Sequence, residues 1–175
     1  RWRPMDFEYN GKKYTNERAI ATQQTGFWFV GQARGNYPDV IGGIIWFGTD
    51  DAATSYLTPV YTNTDKIPGC FREGNGDLLH YSANSSFWIN NRISNSCYRM
   101  YNIMAPYVRE RIDKFENEQI AKIHENDNKA LDLYKKAMDS AEKKGKKTDA
   151  SYDVMSETGN AFLPVRRLLT RYSVN

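Results

Sequence analysis

A chain of 175 residues with 40% hydrophobic and 14% aromatic side chains can bury one core, and it is too aromatic to remain disordered. Its net charge of +3 arises from 24 basic and 21 acidic residues that are interspersed, which argues against the clustered surface a nucleic-acid partner requires. No run reaches the ~18 apolar residues of a membrane span, and two scattered cysteines with two distant histidines define neither a disulfide framework nor a metal site.

The opening residues, RWRPMDF, hold no signal-peptide core. Asn10-Gly11 lies between residues of aromatic character, Phe7, Tyr9 and Tyr14, and predicts a hairpin turn. Arg18 to Gln24 alternates imperfectly and reads as a strand with one face of small and polar groups. Gly26 marks a bulge or a close backbone approach, after which FWFVGQA continues extended. Asn36-Tyr37-Pro38-Asp39 is a turn, and VIGGIIWFG reads as a central strand buried on both faces, ending in the carboxylates Asp50 and Asp51. SYLTPVYTN supplies another extended piece broken at Pro59. KIPGCFREGNG is loop, LLHYS is a last short strand, and Asn84, Ser85 or Ser86 caps the helix that follows.

From there the apolar period changes to three and four. Ile93, Cys97, Met100, Met104, Val108, Ile112 and Phe115 predict one helix, kinked or divided at Pro106. Ile120, Ile123, Ala130, Leu131, Tyr134 and Met138 predict a second, stopped at Gly145 within a solvated lysine-rich turn. Thr148 or Ser151 begins a third, carrying Tyr152, Met155, Phe162, Val165, Leu168 and Leu169. The fold class is α+β: one domain over residues 1–175, mainly strands and loops over 1–83 and mainly helical over 84–175.

The string TQQTGFWFVGQARGNYPDVIGGIIWFGTDDA, followed by TPVYTN, GNGDLLHYS and SSFWINNRISNSCYRMYN, resembles the dipeptidase A (PepD-type) cysteine peptidases, which are N-terminal-nucleophile hydrolases. The resemblance covers roughly Glu17 to Tyr107. It implies a fold of two stacked antiparallel sheets between helical layers, and a mechanism in which an N-terminal cysteine attacks the peptide carbonyl with its own α-amine as base. A free α-amino group titrates near ~7.7–8.0 and takes a thiol proton at neutral pH. The chain opens with Arg1, and Cys70 and Cys97 are internal, so no catalytic nucleophile is expected in it. The expectation is the C-terminal portion of such a dipeptidase, inactive alone. Its expected partners are a dipeptide substrate, the missing N-terminal half and a second copy of itself. No metal or cofactor is implied, and the location stays open between cytoplasm and export.

A dipeptide carries a free amine and a free carboxylate, whose natural counterparts are one acid and one base. Asp50 and Asp51 are the candidates for the amine, set against capping of the following turn. Arg34 is the candidate for the carboxylate, set against a surface strand-end arginine. The resemblance aligns Asn91 with an asparagine of the family's FW-x-x-N segment, and implies a donor to an oxyanion. At Arg99-Met100-Tyr101 the sequence departs from the family's usual order. The alternative function is a non-catalytic α+β module for carbohydrate or peptide, which requires exposed, coplanar rings among Trp28, Trp46, Trp88 and the tyrosines. A helical interaction protein over residues 107–175 is a third reading.

Overall fold

The structure, a computed structural model, describes residues 6–15 and 20–143. Asn10 and Gly11 adopt φ of 50° and 69°, the left-handed pair a two-residue hairpin turn demands. They join β1 (Phe7–Tyr9) to β2 (Lys12–Tyr14) in antiparallel register, with the Phe7 and Tyr14 rings stacked 5.1 Å apart. The strand predicted over Arg18 to Gln24 does not form in its described part. A turn stands there instead, closed by Thr25 N–H donating to the Thr22 carbonyl at 3.0 Å. Small and polar side chains give that stretch nothing to pack, and Ile20 is fully exposed.

The main sheet is antiparallel throughout, in the order β3 (Phe27–Ala33), β4 (Gly43–Thr49), β5 (Thr58–Tyr61). The strand predicted from Val40 begins only at Gly43: after the turn at Pro38, residues Val40 to Gly42 belong to a four-residue helix, α1 (Asp39–Gly42), whose Ile41 and Gly42 N–H groups both donate to the Pro38 carbonyl at 2.8 Å. Pro59 is confined to β5, an edge strand, where a missing N–H is tolerated. Gly48 is a packing glycine: a Cβ there would sit 2.5 Å from Trp28 Nε1 and 2.9 Å from the Tyr56 carbonyl. Gly48→Ala is therefore expected to cost about 1–3 kcal/mol through overpacking, measured as a lower urea midpoint at unchanged slope.

β4 is central but not buried on both faces. Ile44 is 1% exposed and Ile45 38% exposed, the alternation of a sheet covered on one side only. The covered face meets the second half of α3 (Tyr101–Lys143), where Ile123 and Ala130 pack with Ile41, Ile44 and Tyr61 in the principal core. The other face carries Phe27, Phe29 and Ile45 to the exterior. Phe47 on that side meets the edge of Phe71, from the 3-10 turn Gly69–Phe71.

Residues 78–82 do not form the predicted strand. Asp77 Oδ1 accepts the Leu79 and His80 N–H groups at 2.7 and 2.8 Å, so local bonds take the donors a sheet would need, and Leu78 and Leu79 face outward. Helix α2 (Ser86–Arg99) has Ser85 as its N-cap. The helical break comes at Met100, with φ −143° and ψ 59°, six residues ahead of Pro106. Pro106 lies within the first two turns of α3. The two helices predicted to either side of residues 116–119 are one helix of 43 residues, because no breaker separates Phe115 from Ile120. Its first half is tied to the loop after β4: Tyr56 meets Phe115 edge-on at 4.7 Å, and Glu116 Oε1 accepts the Leu57 N–H at 3.0 Å. The third predicted helix and the Gly145 stop lie outside the described residues. Among the described residues no helix is long and apolar enough to cross a membrane.

Candidate functional site

Where β4 ends, the chain turns through Asp50 at φ 68°, a left-handed conformation that aspartate tolerates better than a branched residue would. Its N–H donates to the Gly26 carbonyl at 2.9 Å, extending the β3–β4 ladder by one bond. The carboxylate is 2% exposed. Asn91 Nδ2 donates to its Oδ1 at 3.0 Å, while its Oδ2 has no partner among the described residues. Asn91 is itself fixed, because Asn95 Nδ2 donates to both its Oδ1 and its carbonyl at 2.9 Å. Thr49 and Ser86 share a hydroxyl contact at 2.9 Å, and Asn90 Nδ2 donates to Thr49 Oγ1 at 2.9 Å. The first turns of α2 are thus bolted to the end of β4.

Asp51 is fully buried and has a different job. Its carboxylate accepts the Ala53 N–H and the Thr54 hydroxyl at 3.2 Å, and its main-chain carbonyl accepts the Ser55 N–H at 3.0 Å. Tyr98 from α2 donates to its Oδ2 at 2.6 Å. These bonds make Asp51 the capping residue of the turn, which was the other reading of the pair.

Arg34 lies at the far end of the sheet. It makes a two-pronged ion pair with Asp127 of α3, with Nη2–Oδ1 at 3.1 Å, and Nη2 also donates to the Ile41 carbonyl at 2.6 Å. Tyr37 stacks on the guanidinium at 4.2 Å, and Tyr61 donates to Asp127 Oδ1 at 2.8 Å. Seven residue pairs of the β3–β4 ladder separate Arg34 from Asp50, roughly 25 Å at the ~3.4 Å rise of a strand. A dipeptide spans only about 7 Å. The structure therefore brings Asp50, Asp51 and Asn91 together and leaves Arg34 outside their reach, already partnered by Asp127. Sequence alone could not show this, because Asp127 lies 93 residues on, in a helix whose periodicity is otherwise ordinary.

Neither thiol is poised as a nucleophile. Cys97 is completely buried, and burial pushes its thiol up, assisted by the Asp51 charge. Burial also raises the Cys70 thiol. Among the described residues no hydrogen bond links either thiol to a base, and His80 Nδ1 lies against the Asp77 carboxylate at 2.8 Å. The described tryptophans do not form a sugar platform. Trp28, Trp46 and Trp88 are all half-buried, and their indole N–H groups donate to Ser55 Oγ, Gln32 Oε1 and the Asp77 carbonyl.

The model of peptidase family C69 matches residues 4–114, more than half of the chain, including Asp50, Asp51, Asn91 and both cysteines. The chain belongs to peptidase family C69, the dipeptidase A-type family of cysteine peptidases. No curated protein gives a significant match. The C69 match ends one-third of the way along α3, so Asp127, which fixes the sheet's far end, lies beyond it.

Two tyrosines hold the frame of this C69 domain and titrate out of the normal range. Tyr98 is pushed above its ordinary 10.0 by burial first and by its bond to Asp51 second, and Tyr61 likewise by burial and then Asp127. A phenol raised on folding stabilises the folded state fully below pH 10.0, and that contribution is lost as pH climbs through the raised value. In an ultraviolet titration these two phenols are expected to ionise after the other tyrosines, together with the onset of alkaline unfolding.

Proposed function

We propose that this chain is the C-terminal portion of a dipeptidase whose attacking thiol is an N-terminal cysteine carried outside the chain, and that Asp50 receives the free α-amine of the substrate. The observation that carries the reading is the state of Asp50. It is a buried carboxylate held in a left-handed turn, with Asn91 on one oxygen and, among the described residues, no hydrogen-bond partner on the other. A buried charge without full pairing is costly, and an ammonium partner would relieve that cost. Asn91 then positions Asp50; its Nδ2 already donates to Asp50 Oδ1, which argues against the oxyanion role.

Two further observations support the division of labour. Cys97 is buried and Cys70 half-buried, both thiols are raised by burial, and neither has a hydrogen-bonded base among the described residues, so the nucleophile of a cysteine peptidase belongs elsewhere. The uncovered sheet face with Phe27 at 61% and Phe29 at 60% exposure is a surface for a second sheet, which the missing half would supply.

The test is alkylation of the complete enzyme by iodoacetamide during dipeptide hydrolysis, followed by peptide mapping. Loss of turnover is expected to track labelling of an N-terminal cysteine, while Cys70→Ala and Cys97→Ala retain activity. Inactivation that tracks labelling of Cys70 or Cys97 would refute the reading, as would dipeptide turnover by residues 1–175 alone.

A further inference from the structure

Between α2, the first half of α3 and the loop after β4 lies a cleft of about 620 Å³, within the size range of small-molecule sites. Its body is hydrocarbon: Ile93, Met104, Val108, Ile112 and Phe115 recur at helical spacing and face the opening. Ile93 and Met104 remain 36% and 37% exposed, so the two helices do not close on each other here. The charge on the wall has one sign. Arg92 and Arg111 line it, and among the described residues no carboxylate does.

The two cations are available to a ligand. Arg92 Nη1 donates to the Tyr81 hydroxyl at 2.9 Å, with the guanidinium 5.6 Å from the Tyr81 ring, so the phenol keeps its own proton to offer. Arg111 is 75% exposed; among the described residues it makes only a long 3.4 Å bond from Nη1 to the Tyr107 carbonyl, and its one acidic neighbour, Glu110 at 4.0 Å, lies outside the wall and is itself 78% exposed. A guanidinium beside a phenolic O–H is a ready pair of donors for a carboxylate.

The rest of the wall discriminates against a peptide. The Thr54 hydroxyl donates to Asp51, the Ser96 hydroxyl to the Arg92 carbonyl, and Asn90 Nδ2 to Thr49 and Ser86. A peptide backbone lying along this part of the wall, away from the arginines, would find those donors taken and only the Asn90 Oδ1, without a partner among the described residues, left to receive an N–H, so its carbonyls there would go unpaired at a cost an alkyl chain does not incur. We infer that this cleft, distinct from the Asp50 site, binds an aliphatic carboxylate, with its chain along α2 and α3 and its head on Arg92, Tyr81 and Arg111.

Isothermal titration of residues 1–175 with sodium dodecanoate below its micelle concentration tests this, with dodecylamine as the probe of opposite charge. One dodecanoate per chain is expected. Arg92→Gln with Arg111→Gln should weaken it at least tenfold without moving the thermal midpoint, since both side chains are exposed. Val108→Trp, which fills the cleft, should abolish it. Equal binding of dodecylamine, or dodecanoate affinity untouched by the arginine changes, would overturn the inference. So would a chain that sediments as a dimer and takes up no dodecanoate, because the cleft would then belong to a second copy.

Discussion

Replacing Asp127 by alanine is expected to destabilise the chain by about 3–5 kcal/mol, the cost of leaving a buried charge without its counterion. The Arg34 side chain is only 10% exposed and that of Asp127 2%. Both guanidinium Nη groups are aimed at the two oxygens of that single carboxylate. Removing it strands the cation between Tyr37 and Tyr61 and also orphans the Tyr61 hydroxyl. Urea unfolding followed by circular dichroism measures the loss. The pair itself contributes less than its removal costs, because both charges surrender hydration. Arg34→Met with Asp127→Leu should therefore recover most of the stability. A loss below 1 kcal/mol on Asp127→Ala would show the guanidinium hydrated by other means.

Asp50→Asn in the complete enzyme is expected to raise KM for dipeptides roughly ten- to hundredfold, the ~1.5–3 kcal/mol of a hydrogen bond to a charged group. Asparagine tolerates the left-handed φ of 68° at this position, and its side-chain oxygen can still accept from Asn91, so folding is preserved. Binding of the amine in ground state and transition state alike affects KM more than kcat. N-acetylated dipeptides, which have no ammonium, should show no difference between the two enzymes. Unchanged KM for free-amine substrates in the folded variant would remove Asp50 from the site.

Local chemistry was legible where a residue dictates its own conformation. Asn10-Gly11 sets a turn whatever surrounds it, and the helix after residue 83 starts within the Asn84–Ser86 window, with Ser85 at the N-cap position but making no side-chain capping bond. The stripe of Ile123 and Ala130 identified the face that α3 buries. Long-range partners were not legible. Arg34 carries no mark in the sequence of its bond to Asp127, and Asp50 and Asp51 are adjacent residues whose different surroundings are set by Asn91 reaching the one and Tyr98 the other. The expected burial of both β4 faces failed for a related reason. An apolar run states that a surface seeks cover, not that the same chain provides it, and Ile45 stands open. The break at Met100 has no mark in the sequence either, since methionine is a good helix former and nothing local forbids the helix from continuing.

At 43 residues, α3 extends about 64 Å at the ~1.5 Å rise of a helix, far beyond the sheet it crosses. About a third of the way along it Phe115 and Glu116 grip the segment just past Asp50, and farther along Asp127 grips Arg34 and Tyr61. Both margins of the sheet are thus fastened to one stiff rod, so any displacement at the carboxylate turn must either bend that rod or be felt at the opposite margin. Amide protons at the two locations should consequently lose their protection together, as a single lever would require.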